Sequence, residues 1–210
     1  MAAAEEQWIS LFPLNTVLFP DGVLPLRVFE TRYVDMVRAC MKTEAPFGVV
    51  AIKSGTEVGV PAEPHAVGTL ATITQWDMPE FGVLLIQTRG GARFNILDTR
   101  RRPNDLLEGR IELIAPDPVV DGGETLALCS SVLRVVIEDL QQRAADSEGG
   151  PDFISPFAAP FKLDDTGWVA NRWCEMLPIT LDIKQQMLML QDPATRLKTV
   201  QAYLRENGVV

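Results

Sequence analysis

Leu11-Phe12-Pro13-Leu14-Asn15-Thr16-Val17-Leu18-Phe19-Pro20-Asp21-Gly22-Val23-Leu24-Pro25-Leu26-Arg27-Val28-Phe29-Glu30 is the stretch on which the reading of this 210-residue chain turns. Prolines at 13, 20 and 25 each remove an amide donor, so each predicts a strand edge or a turn. Asp21-Gly22 between them predicts a tight turn, because both residue types tolerate backbone that others avoid. Short apolar strands broken by turns are the expectation.

Downstream, runs rich in β-branched and aromatic residues continue that pattern. Phe47–Lys53, Val67–Trp76, Gly82–Thr88, Ala92–Asp98 and Gly109–Ile114 read as strands. Arg89-Gly90-Gly91, lying between two of them, reads as a hairpin turn. One helix interrupts the series: Phe29, Tyr33, Met36, Val37 and Cys40 recur at spacings of three and four, with Arg32, Asp35 and Arg38 opposite. The run Arg100-Arg101-Arg102 is expected to form a solvated turn.

The periodicity changes at Pro116–Gly123, which predicts a β-rich lobe over 1–117 and a helical lobe over 118–210. In the second lobe Leu126, Cys129, Leu133, Val136, Ile137 and Leu140 share one helical face, and Ser147–Pro151 ends that helix. Phe153–Phe161 is too proline-rich for a helix interior and predicts an extended strap packed by its rings. Three closing helices have readable caps. Asp164 or Asp165 starts the first, which Pro178 stops; Thr180 starts the second; Asp192-Pro193 starts the third, which Gly208 ends.

The quoted opening resembles the N-terminal domain family of the Lon ATP-dependent proteases. The resemblance continues through Arg32-Tyr33, Phe47-Gly48-Val49-Val50, Gly68-Thr69, Gly91-Ala92-Arg93-Phe94, Asp165, Trp168-Val169, Arg172, Glu175-Met176-Leu177-Pro178, Lys184-Gln185, Asp192-Pro193 and Arg196-Leu197. Aspartate stands at 21 where many relatives look to have glycine. The resemblance implies an α+β fold: a β-rich, PUA-like pseudo-barrel lobe with one inserted helix, followed by a C-terminal helical bundle lobe. It looks most like a stand-alone branch of the family, which at Val210 would stop short of the ATPase module and Ser-Lys dyad of a complete Lon protease.

Charge and composition narrow the function classes. A formal net charge of −9 and a pI near 4.7 set an average field that repels phosphate backbones and anionic lipid, which argues against nucleic acid. Cys40, Cys129 and Cys174 are odd in number and far apart, as buried reduced thiols of a cytoplasmic protein are. No export signal or run of eighteen apolar residues is present. Phosphate-binding, dinucleotide and nucleophile-elbow motifs are missing, and His65, the single histidine, falls in a loop-like Pro-Ala-Glu-Pro-His. The expectation is no catalytic residue, no metal and no cofactor.

What remains is recognition by surface. The turn Trp76-Asp77-Met78-Pro79-Glu80-Phe81, with Trp76, Met78 and Phe81 between strands, is the candidate for binding exposed or unfolded polypeptide. The partners expected are such segments, together with a protease or chaperone that receives them. The alternative is a PUA-like module for RNA or a small ligand, with an inter-lobe pocket of Arg27, Glu30, Arg32, Tyr33 and Trp168. An arginine there that instead pairs with Glu30 would simply fasten the helix to the sheet.

Overall fold

The computed structural model describes residues 7–59, 62–146 and 155–210. Among these, six strands form one mixed sheet and five segments are α-helical. The chain divides into two compact units. One contains the chain up to Pro20 and from Leu24 to Pro116, the other Asp21–Val23 and the chain from Asp117 on.

In the first unit the strands are β1 (Gln7–Leu14), β2 (Val23–Val28), β3 (Phe47–Ser54), β4 (Glu63–Glu80), β5 (Val83–Arg101) and β6 (Leu107–Leu113), with α1 (Thr31–Thr43) after β2. β1 runs parallel to β3 and antiparallel to β6, while β4 pairs antiparallel with β3 and β5, and β5 with β6. These pairings close a ring, β1-β3-β4-β5-β6-β1, and β2 adds to the other edge of β5. A long strand serves two neighbours here because sheet twist carries its two ends to different partners. One core packs Phe12, Leu14, Val28, Tyr33, Val37, Phe47, Leu84 and Ile86 under α1; another packs Ile9, Leu11, Val50, Phe94 and Ile111 inside the ring.

Several expectations are corrected. Gly82–Thr88 and Ala92–Asp98 are one strand, and Arg89-Gly90-Gly91 is no hairpin turn: the register slips between Thr69 and Ala71, so Leu70 faces Gly91 and Ala92 across a bulge. A Cβ on Gly90 would stand 2.1 Å from the Phe19 carbonyl oxygen, so this glycine lets the Leu18-Phe19 backbone lie against β5. Thr69 Oγ1 donates to the Leu18 carbonyl at 2.6 Å and Thr88 Oγ1 to the Leu24 carbonyl at 2.9 Å, clasping the turn-rich segment from both sides. Phe29 precedes the helix and is exposed instead of sharing its apolar face. His65 sits on β4, half-buried, not in a loop.

The arginine run is also no bare turn. Arg100 Nε and Arg102 Nε hold the two oxygens of Glu108 at 2.8 and 2.7 Å, and Arg100 lies 4.2 Å from the Trp8 ring centroid. The Glu108 side chain is only 4% exposed. Burial alone would raise its carboxyl, but the Arg102 and Arg100 hydrogen bonds and charges outweigh it and hold the group below the ordinary 4.5. A depressed folded-state pKa stabilises above the unfolded value and is lost as pH falls through the folded one. Acid titration should therefore show a loss of stability beginning below about pH 4.5 that Glu108→Gln removes, at a cost of about 1–3 kcal/mol at neutral pH.

The second unit contains α2 (Gly123–Asp146), α3 (Thr166–Met176), α4 (Leu181–Met189) and α5 (Pro193–Glu206). The caps fall where the sequence puts them. Asp165 accepts from the Trp168 amide, Thr180 from Ile183, and Asp192 from Ala194 and Thr195, with Pro193 in the first turn. Cys129, Leu133 and Ile137 of α2 are buried. Ser147–Pro151 and Phe153 lie outside the described residues; of the strap, Phe157 is buried and Phe161 meets Trp168 edge to face. Asp21, at φ 63°, adopts the left-handed backbone that favours glycine and receives Lys162 Nζ at 2.8 Å.

Among the described residues, two arginines are the largest fully buried side chains. Arg196 Nη1 donates to Asp117 Oδ2 at 2.6 Å and to Asn171 Oδ1 at 2.9 Å, Nε donates to the Met187 carbonyl at 3.0 Å, and Nη2 reaches Asp117 Oδ1 and the Leu190 carbonyl. One guanidinium thus ties α5 to α3 and to the end of α4. Arg172 pairs with Glu175 and lies over the Trp168 ring.

All three cysteines are free, Cys129 and Cys174 buried and Cys40 half-buried. Burial pushes the Cys129 thiol up to about 11 and Cys174 to about 12, and raises Cys40 as well. Alkylation of the native protein at pH 8 should modify Cys40 at most, and slowly, whereas all three react after denaturation; fast native labelling of Cys174 would contradict this packing. No helix among the described residues is long and apolar enough to cross a membrane.

Candidate polypeptide-binding site

β3 accompanies β4 only as far as Ala71, its partner being Phe47. From Thr72 onward β4 is paired on one side alone, with β5, which itself has β2 as a further neighbour, and the β4–β5 arm closes at Phe81-Gly82. Met78 is therefore on a strand and not in a turn, and Trp76, where the expected strand and turn meet, is on that strand too; Trp76 lies opposite Ile86 and Asp77 opposite Leu85. Only Phe81 is at the tip. The alternation missed this because Asp77-Met78-Pro79 looks like a strand end, whereas bulges between Ile73 and Gln75 and between Asp77 and Glu80 absorb the irregularity.

Large apolar side chains stand open on this arm: Phe81 is 99% exposed, Trp76 56%, Leu85 41% and Met78 40%. Trp76 and Met78, two residues apart, share one face of β4, while Leu85 points to the other. Leu85 was not singled out from the sequence, since Val83-Leu84-Leu85-Ile86 is uniformly apolar and hides which member is outside. The acidic Asp77 and Glu80 are the arm's charged residues between Thr72 and Thr88, which contain no lysine or arginine.

The other predicted group is only partly brought together. Arg27, Glu30 and Tyr33 line a cavity of about 190 Å³ in the first unit with Phe12, Phe29 and Val58. Tyr33 stacks on Phe12 at 4.1 Å, and burial lifts its phenol above the ordinary 10.0 against the pull of Arg32. Arg32 is buried beside them, 4.7 Å from the Tyr33 ring centroid, and bonds Glu30 Oε2 at 2.8 Å, the Gly59 carbonyl at 2.8 Å and the Asp105 carbonyl at 3.2 Å. It fastens the start of α1, correcting its placement on the polar face. Trp168 belongs to the second unit, where α3 holds it buried. Among the described residues no group of three or more His, Cys, Asp or Glu side chains is arranged to hold a metal.

A family model described as the ATP-dependent protease La (LON) substrate-binding domain matches residues 8–206. The chain belongs to this family of substrate-binding domains. It is 26% identical over 195 residues to the Lon protease of Anaeromyxobacter dehalogenans, covering 91% of this chain and 22% of that protein. A shorter match, 29% over 112 residues, covers 51% of this chain and 24% of protein cereblon from Xenopus tropicalis. The crystal structure of a Lon N-terminal domain protein from Xanthomonas campestris superposes with a TM-score of 0.71 at 31% identity, over 94% of this chain and 98% of that one. This chain thus spans less than a quarter of the length of these curated relatives.

Proposed function

We propose that this protein recognises exposed apolar segments of unfolded polypeptide through the β4–β5 arm and acts as a non-catalytic, cytoplasmic quality-control adaptor that delivers them to a protease or chaperone. The observation that carries the reading is the exposure of Trp76, Met78, Phe81 and Leu85 on the β4–β5 arm. Membership of a substrate-binding family supports polypeptide as the ligand, and the closed ring of pairings supports a PUA-like pseudo-barrel as its scaffold. RNA is the weaker reading, because Arg100 and Arg102 are committed to Glu108 and the chain is acidic.

Magnitude sets the affinity. Covering roughly 400 Å² of apolar surface yields about 10 kcal/mol gross against an association cost of about 4–15 kcal/mol. Each contact is therefore weak, and useful retention comes from repeated sites along one client. Binding of a reduced, carboxymethylated unfolded protein should weaken about fivefold or more in Phe81→Ser with Trp76→Ser. Unchanged affinity in that folded variant would refute the arm as the site.

A further inference from the structure

We infer that the free edge of β4 from Thr72 to Asp77 takes up an extended, basic polypeptide segment as an added β-strand. The inference rests on the polypeptide-binding reading above and states how the arm grips its ligand.

Three observations carry it. The first is the open ladder: β4 has β5 on one side, and β3, its neighbour on the other, stops at Ala71, leaving an exposed edge over the next residues. A strand edge of this kind presents alternate amides and carbonyls, which an incoming strand satisfies whatever its side chains. The second is that the exposed apolar groups share no single face, Trp76 and Met78 lying on one side of the arm and Leu85 on the other. Trp76 and Met78 lie on the edge strand itself and Leu85 one strand in, opposite Asp77, and an added strand would send alternate side chains to both faces. The third is charge. The edge carries Asp77, with Glu80 just beyond it, on a chain of net charge −9, while Arg89 of β5 lies opposite Thr72 at the other end of the site.

That charge selects the occupant. A second copy pairing antiparallel over Thr72–Asp77 would bring Asp77 opposite Thr72 and offer it no cation from that edge, whereas a segment with lysine or arginine beside its apolar residues meets opposite charge. The length of the site is limited as well. The Met78 amide is already bonded to Asp77 Oδ1 at 2.8 Å and Pro79 has no amide, so pairing ends near Asp77. An added strand of about four to six residues fits.

The test uses the full chain and an unstructured twelve-residue peptide alternating valine or leucine with lysine or threonine, which fixes the register by its two faces. Two further peptides keep the same side chains but carry N-methyl groups on alternate residues, one on each parity. Strand addition predicts that one methylated peptide binds at least about tenfold more weakly while the other stays within about threefold of the parent. It also predicts slowed amide exchange within Thr72–Asp77. Equal binding of all three peptides, with shifts still centred on Trp76 and Phe81, would overturn strand addition and leave recognition by the arm standing. No binding of the parent peptide or of unfolded protein would overturn both, and slowed exchange that depends on protein concentration without peptide would assign the edge to a second copy instead.

Discussion

Asp117→Ala is expected to destabilise the second unit by about 3–5 kcal/mol, the largest effect of any single polar substitution here. Asp117 accepts two bonds from a guanidinium that is 1% exposed and whose remaining donors go to Asn171 and to the Met187 and Leu190 carbonyls. Removing the carboxylate leaves a buried positive charge with only neutral acceptors, Asn171 and the Met187 and Leu190 carbonyls. Pairing Asp117→Ala with Arg196→Met removes that charge, so the double variant should recover a large part of the loss. The backbone carbonyls it leaves behind set the limit to recovery. Urea unfolding of the four proteins of this cycle measures the coupling, and additivity would contradict the hub.

Gly90→Ala should cost about 3 kcal/mol, and Gly91→Ala next to it almost nothing. At Gly90 the added methyl meets the Phe19 carbonyl oxygen at 2.1 Å, a backbone atom that moves only if the Leu18-Phe19 segment leaves its clasp with Thr69. At Gly91 the nearest atom is the Leu70 carbonyl oxygen at 3.5 Å, ordinary contact. Neither residue has a positive φ, so the contrast is one of space and not of backbone strain. A gain of a few tenths of a kcal/mol at Gly91, from the stiffer unfolded chain, would be in keeping. Equal losses at both positions would contradict the packed turn.

Much of this was legible in the chain, and the failures share a cause. Helix caps rest on local chemistry, and Asp165, Thr180 and Asp192 each cap where their side chains first meet free amides. The proline-spaced opening is likewise written locally, although its reason for being held in place, Gly90 and Thr69, lies about fifty to seventy residues away. Arg89-Gly90-Gly91 read as a turn because glycine pairs punctuate hairpins; only the distant Phe19 backbone explains them inside a strand. Arg100 and Arg102 are solvated, each 54% exposed, but their pairing was hidden because the buried carboxylate that collects them, Glu108, follows beyond a loop. Trp76, Met78 and Phe81 were recognised as surface by composition, yet the strand beneath them depends on β5 as partner.

The claim at the centre is that the β4–β5 arm holds unfolded polypeptide. Amide chemical shifts of the labelled protein, followed while an unfolded, reduced client is added to millimolar segment concentration, test it most directly. The expected result is progressive shifts confined to Thr72–Thr88 and strongest at Trp76, Met78 and Phe81, lost in Phe81→Ser with Trp76→Ser. Shifts absent from the arm, or clustered instead around Arg27, Glu30 and Tyr33, would contradict it.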